Sequence, residues 1–245
     1  MKAVNKTPKK PNAEPSVTMT NSPEPYDPLD LKTLAESMAK VVLEQPVHGL
    51  DSLLPFEGPG IYILYYTGDF EPYRRLSREN QQSNWARPIY VGEAARKGAR
   101  KGGVLAGTRG GKALFNRLRN HSDSIRDADN LDLKDFYCRY LVLKDFFIPL
   151  CESLLIDRYK PIWNNVIDGF GNKMVGEGRE KRQQKSMWDV LHPGRRGSAA
   201  KTNKKYPTAT AVQTRLETFY AGKYVELIPT DEAVASAEEA EETDD

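Results

Sequence analysis

Apolar residues follow two different periodicities along the chain, and the alternation between them marks out the elements. Leu31, Leu34, Met38, Val41 and Val42 recur at three- and four-residue intervals, which predicts an amphipathic helix. Asp27 can cap it, Pro28 suits its first turn, and it should end before Pro46. The unbroken run Ile61-Tyr62-Ile63-Leu64-Tyr65-Tyr66 lies between Gly60 and Gly68. It is β-branched and aromatic, as a buried strand requires. Residues 69–86 are polar and predict a long connection to a second strand, Pro88-Ile89-Tyr90-Val91-Gly92, antiparallel to the first. From Lys112 a helix is predicted, with Leu114, Phe115, Leu118 and Ile125 on one face. Residues 136–143 read as a third strand. Residues 149–159 read as a helix with Pro149 in its first turn and Leu150, Leu154, Leu155 and Ile156 on its core side, stopping before Pro161. A short helix at about 208–221 follows. Strands and helices mix without a regular βαβ alternation or an internal repeat, so the class is α+β.

The ends of the chain do not share these patterns. Mean hydropathy is −0.64, low because residues 1–26 and 223–245 contain almost nothing to bury; both are expected to be disordered arms. The globular domain is then expected over 27–222. No apolar run approaches the ~18 residues of a membrane span, and no secretory signal is visible at the start. Cys138 and Cys151 stand in no paired motif, which argues against a disulfide framework or a cysteine zinc site and fits a reducing cytoplasm.

Charge sharpens the picture. The net charge is only +2, but residues 224–245 carry nine acids and no Lys or Arg, which leaves a surplus of +11 on the rest. The bases concentrate in two stretches, 93–126 and 172–205, each about +7, and the first is rich in glycine. A basic body with an acidic tail points to a polyanionic partner. The tail is expected to compete with that partner for the basic loops.

The candidate chemistry lies between these stretches. Gly60-Ile61-Tyr62 sits on one strand and Tyr90-Val91-Gly92 on the next. Arg117 and His121 follow four apart on a helix, then Glu152 in the first turn of the next predicted helix, then Pro161-Ile162-Trp163-Asn164. In this order, over about residues 58–166, the set resembles the GIY-YIG nuclease superfamily. The flanking Leu64-Tyr65-Tyr66-Thr67-Gly68, Gly169-Phe170-Gly171-Asn172 and Trp188-Asp189-Val190-Leu191-His192-Pro193-Gly194-Arg195 are similar to its dimeric type II restriction-endonuclease branch. The resemblance implies a small three-stranded antiparallel or mixed sheet flanked by helices. The catalytic core would cover about 58–166 and a DNA-recognition extension about 167–222. The chain departs from the pattern in two places: the gap between the two name-giving motifs is long, and Glu93 stands where many members of the branch carry Lys.

The resemblance also implies roles. Glu152 would bind Mg2+ or Mn2+, since one carboxylate completed by water and phosphate oxygens is an ordinary magnesium shell. Taken alone, such a Glu is equally a helix N-terminal residue favoured by the dipole. Arg117 would grip the scissile phosphate with its fork, and His121, one turn on, would accept or relay a proton. Tyr62 would deprotonate or position the water, Tyr90 would hold water or phosphate, and Asn164 would orient the glutamate or the phosphate. Isolated, the same residues are ordinary sheet tyrosines, a solvated Arg and His, and a turn Asn. Guanine-rich sites are read by Arg and Lys, so the DNA-contact candidates are Arg96, Lys97, Arg100, Lys101, Arg109, Lys173, Arg179, Arg182, Arg195 and Arg196. The implied function is double-strand cleavage at a GC-rich palindrome, by precedent CCGCGG, by a homodimer whose host DNA a cognate methyltransferase protects. Alternatives are a monomeric nicking nuclease of repair or mobile-element type and a catalytically impaired DNA-binding relative.

Overall fold

A computed structural model of the chain describes residues 30–95, 111–171, 185–196 and 207–222. Both arms, and eight of the DNA-contact candidates (Arg96, Lys97, Arg100, Lys101, Arg109, Lys173, Arg179 and Arg182), lie outside the described residues. In chain order the elements are α1 (Leu31–Leu43), β1 (His48–Gly49), β2 (Gly60–Tyr66), α2 (Arg74–Asn80), β3 (Tyr90–Ala94), α3 (Ala113–Arg126), β4 (Phe136–Val142), α4 (Ile148–Tyr159), α5 (Ile162–Asn165), α6 (Met187–Leu191) and α7 (Ala209–Tyr220). The class is α+β. The sheet has four strands rather than three, all antiparallel, in the order β1-β4-β2-β3.

β2 is buried along its whole length, and its two faces enter two separate cores. Ile61, Ile63 and Tyr65 pack with Val91 of β3 against Met38, Ala39 and Val42 of α1 and Ile148, Cys151 and Leu155 of α4. Tyr62, Leu64 and Tyr66 pack on the other side, with Leu114, Leu118 and Ile125 of α3 and the rings of Trp163, Phe170 and Trp188. A strand covered on both sides loses polar alternation, which explains the unbroken apolar run. α3 is docked by two backbone bonds around Gly58: its amide donates to the Gly111 carbonyl, and its carbonyl accepts from Leu114.

Several sequence expectations are corrected here. The cap of α1 is Asp30, whose carboxylate accepts from the Thr33 amide and hydroxyl; Asp27 lies outside the described residues. The connection 69–86 folds into α2 and short flanking turns. Seven residues are too few to show a helical period, and only Leu76 supplies α2 with a buried apolar anchor. Within this connection Asn80 replaces missing backbone partners. Its amide nitrogen donates to the carbonyls of Tyr66 and Arg87, and its oxygen accepts from the Arg87 amide. Among the described residues no helix is long and apolar enough to cross a membrane.

The segment after α5 is stitched to the core by a buried chain of donors and acceptors. Trp163 Nε1 donates to the Tyr73 hydroxyl (2.9 Å), which lies 2.5 Å from His192 Nε2, and His192 Nδ1 meets Asn130 Oδ1 at 2.8 Å. The four groups are satisfied together only if Tyr73 donates to a neutral His192. Burial, helped by Arg195, pushes His192 down to about 3. Protonating it would cost the chain both an acceptor and a desolvated charge.

Candidate active site

The register of β2 and β3 builds the floor of the site. Tyr62 lies directly opposite Gly92, and the Tyr62 ring leans over that glycine. A Cβ at Gly92 would collide with the Tyr62 hydroxyl and stand 2.8 Å from the Tyr90 ring. The two tyrosines, two residues out of register on adjacent strands and so on the same face, bring their ring centres to 6.1 Å. Gly92→Ala is therefore expected to keep the fold but displace one tyrosine. Tyrosine ring-proton shifts beside far-ultraviolet circular dichroism would check this.

α3 supplies the wall. Arg117 and His121 lie one turn apart on its sheet-facing side. His121 is buried, not solvated: it is 2 % exposed, with Nε2 2.5 Å from the Tyr62 hydroxyl. Arg117 bonds the same hydroxyl. Since a guanidinium only donates, the Tyr62 oxygen accepts from Arg117 and its proton is left for His121. Burial, then the neighbouring Tyr90, push Tyr62 well above the ordinary phenol range, although Arg117 opposes the shift. Burial, then Arg117 and Arg195, hold His121 well below the ordinary imidazole range. Tyr62 is therefore a neutral phenol and His121 a neutral acceptor at physiological pH.

A third side comes from α4. Glu152 is the fifth residue of that helix rather than a first-turn residue, so favour from the helix dipole does not explain it. Burial, then Glu93 on β3, push its carboxyl up to about 7, against the pull of Arg117. Glu93 lies opposite Ile61 and hence on the α4 side of the sheet. Glu152 also acts electrostatically on Tyr62. A partly desolvated carboxylate beside a second carboxylate is short of positive charge, and a hard divalent cation fits that need. Among the described residues no group of three or more His, Cys, Asp or Glu is placed to hold a metal. The remaining ligands would be water and substrate oxygens.

Five of the six expected catalytic residues are thus neighbours: Tyr62, Tyr90, Arg117, His121 and Glu152. Asn164 is bonded to β3. Its side-chain amide donates to the Val91 carbonyl (2.8 Å) and accepts from the Val91 amide (2.9 Å), while the Trp163 amide donates to the Ile89 carbonyl (3.0 Å). It acts as a one-residue strand partner that holds the outer edge of β3, between Tyr90 and Gly92. Arg195, expected to contact DNA, is held inside the fold. It is 6 % exposed and its guanidinium is bound to Asp189 and to backbone carbonyls. Arg196 remains on the surface, paired with Asp127 at 2.9 Å.

Two neighbours of the site had no assigned role in the sequence reading. The Phe170 ring stacks on His121 with centres 4.4 Å apart and planes at 16°, and meets Tyr90 edge-on at 5.0 Å. At Gly171 a Cβ would stand 2.8 Å from the Tyr90 hydroxyl and 3.3 Å from Arg117 Nη2. These two polar groups therefore border the same small space. The Gly-Phe-Gly-Asn string marked the segment, but nothing in it fixed the partner of the aromatic ring.

A family model described as the Eco29kI GIY-YIG domain matches residues 54–220. The chain belongs to that family. The match takes in the Tyr62–Tyr90 pair, Arg117, His121, Glu152 and also the Phe170 and Arg195 segments, so the GIY-YIG domain and the site geometry describe the same stretch of chain. A comparison with the curated proteins finds no match. The family is one of restriction-type nucleases.

Proposed function

We propose that this GIY-YIG protein is a metal-dependent, sequence-specific DNA endonuclease of the type II restriction kind. It would act as a homodimer on a GC-rich palindrome, since a two-fold site is most simply read by a two-fold protein. The observation that carries this reading is the shared space beside Gly171, bordered by the Tyr90 hydroxyl and Arg117 Nη2, with the Tyr62–His121 pair adjoining it. Arg117 would bind the scissile phosphate and balance the charge that grows on it during attack. Tyr90 would position phosphate or water through its hydroxyl. Tyr62 cannot serve as a resident phenolate. As water attacks phosphorus, its proton would pass to the Tyr62 oxygen while the Tyr62 proton passes to His121 Nε2, leaving an imidazolium and a neutral phenol. A magnesium or manganese ion held by Glu152 would supply Lewis acidity and charge for the leaving oxygen.

The test is incubation of the full chain with GC-rich duplex DNA and Mg2+. Discrete fragments are expected, whose sequenced ends give the recognition site and the cut position. Intact DNA under every metal and salt condition would overturn the reading.

One observation favours a second reading. Glu93 adds negative charge beside Glu152 where the restriction branch commonly carries Lys, which supports a catalytically impaired DNA-binding relative. Glu93→Lys separates the two: a gain of cleavage in the variant over a silent wild type supports impairment, and an already active wild type removes it.

A further inference from the structure

We propose that Arg195 is a positioning residue for the reaction: with Asp189 as its anchor, it fixes the Gly169-Phe170 backbone so that the Phe170 ring holds the His121 imidazole against Tyr62. The proposal deepens the nuclease reading and rests on it, because His121 matters chemically only as part of that site.

The geometry runs in one unbroken line. Arg195 Nε donates to Asp189 Oδ1 at 2.7 Å, and Nη2 reaches the same oxygen at 2.5 Å. The other Asp189 oxygen takes the Ser186 hydroxyl (3.0 Å) and amide (3.3 Å) in a capping box at the start of α6. Asp189 is thus fully engaged and rigid. The outer edge of the guanidinium then binds two successive carbonyls, Phe170 O through Nη1 and Gly169 O through Nη2, each at 3.1 Å. Its face lies 4.7 Å from the centre of the Trp188 ring. Asp168 closes the loop from the other side, accepting the Met187 amide on its carboxylate and the Trp188 amide on its carbonyl. Gly169 has φ +91°, and a Cβ there would strike Ser186, so the chain passes α6 as closely as a backbone can. The next residue is Phe170, 1 % exposed, its ring parallel to His121.

Packing alone does not explain this arrangement. A buried ion pair rarely adds stability over apolar side chains of the same size, and apolar residues would fill the space beside Trp188 and Phe170. What the guanidinium adds is direction, because a planar fork specifies where two carbonyls must lie. Its positive charge also acts on His121 and, after burial and Arg117, disfavours the imidazolium in the resting site. His121 thereby faces Tyr62 through Nε2, Phe170 across its ring, and the charges of Arg117 and Arg195. The Arg195–Phe170 arm comes from outside the β2–β3–α3 frame.

The test uses Phe170→Leu, Arg195→Lys and the double variant in the full chain. The chain has three histidines, so the His121 ring-proton signals are assignable by their loss in His121→Gln. Stacking shields these protons. Phe170→Leu should move them downfield, and Arg195→Lys, which keeps the charge and loses the fork, should move them in the same direction. At saturating DNA the single-turnover cleavage rate should fall about 10- to 100-fold in each single variant, with DNA affinity changed less than about threefold. The double variant should lose no more than the worse single variant, because both act through one ring. Unmoved His121 signals in a folded Arg195→Lys protein would overturn the proposal, as would losses that multiply in the double variant. Should Arg195→Lys not fold, Phe170→Leu decides: unmoved signals overturn the proposal and moved signals support it. If the wild type cleaves no DNA, the nuclease reading fails while the His121 signals still test the linkage.

Discussion

Glu152→Gln loses cleavage by about 10³-fold or more, and the same change makes the protein harder to unfold. The first effect follows from removing the carboxylate proposed to hold a divalent ion near Arg117. The second follows from the carboxyl being pushed up to about 7 in the fold by burial and by Glu93. The folded state holds this proton more tightly than the unfolded chain, whose glutamates titrate near 4.5. Ionisation therefore works against the fold from about pH 4.5 upward and reaches its full effect above about pH 7. At pH 8 the penalty is on the order of 3 kcal/mol, and at pH 5 it is below about 1 kcal/mol. Urea unfolding without metal should show the variant more stable than wild type at pH 8 by up to that amount, with the gap closing at pH 5. Equal stability at pH 8 would mean that the carboxylate is better solvated than the packing of α4 against β3 implies. A site that strains its own fold to keep a carboxylate available is an ordinary cost of function.

Trp163→Ala lowers stability by about 3–5 kcal/mol and the melting temperature by roughly 10 °C or more. Its ring is 2 % exposed and lies among Tyr73, Phe136, Phe170, Trp188 and His192. Deleting it opens a cavity and removes the indole donor from the Tyr73 hydroxyl. Trp163→Phe keeps most of the volume and loses that hydrogen bond, so it should cost nearer 1 kcal/mol. Thermal and urea unfolding of the pair separates the two contributions. Stability itself should fall in acid for both variants and wild type alike. His192, neutral in the fold and pushed down to about 3, favours the folded state fully only above about pH 6.5, and that support drains as pH falls from there toward 3.

What the sequence made legible was set by how locally each feature is encoded. β2, β3 and β4 were readable because β-branched and aromatic runs need no partner to be recognised, and α3 and α4 because their apolar faces repeat. β1 is two residues long and carries no period at all; it exists only because β4 offers it an edge. α2 hides within a polar stretch for the same reason. At the site, Tyr62, Tyr90, Arg117, His121 and Glu152 could be named because their spacing follows strands and helices of known geometry. Arg195 shows the limit: a lone Arg in a basic stretch looks like a phosphate contact, and only the fold brings Asp189 and two carbonyls to it. The bonded partner of Asn164 is a backbone amide and carbonyl that no side-chain pattern announces. Phe170 and its contact with His121 span 49 residues of sequence, beyond any local signal.

Diffraction from crystals of the full chain with duplex DNA and Mn2+ puts the central claim to its most direct trial. The account predicts a manganese anomalous peak on the Glu152 carboxylate, facing a phosphate that Arg117 also binds. A peak elsewhere, or Arg117 turned away from every phosphate, would contradict it.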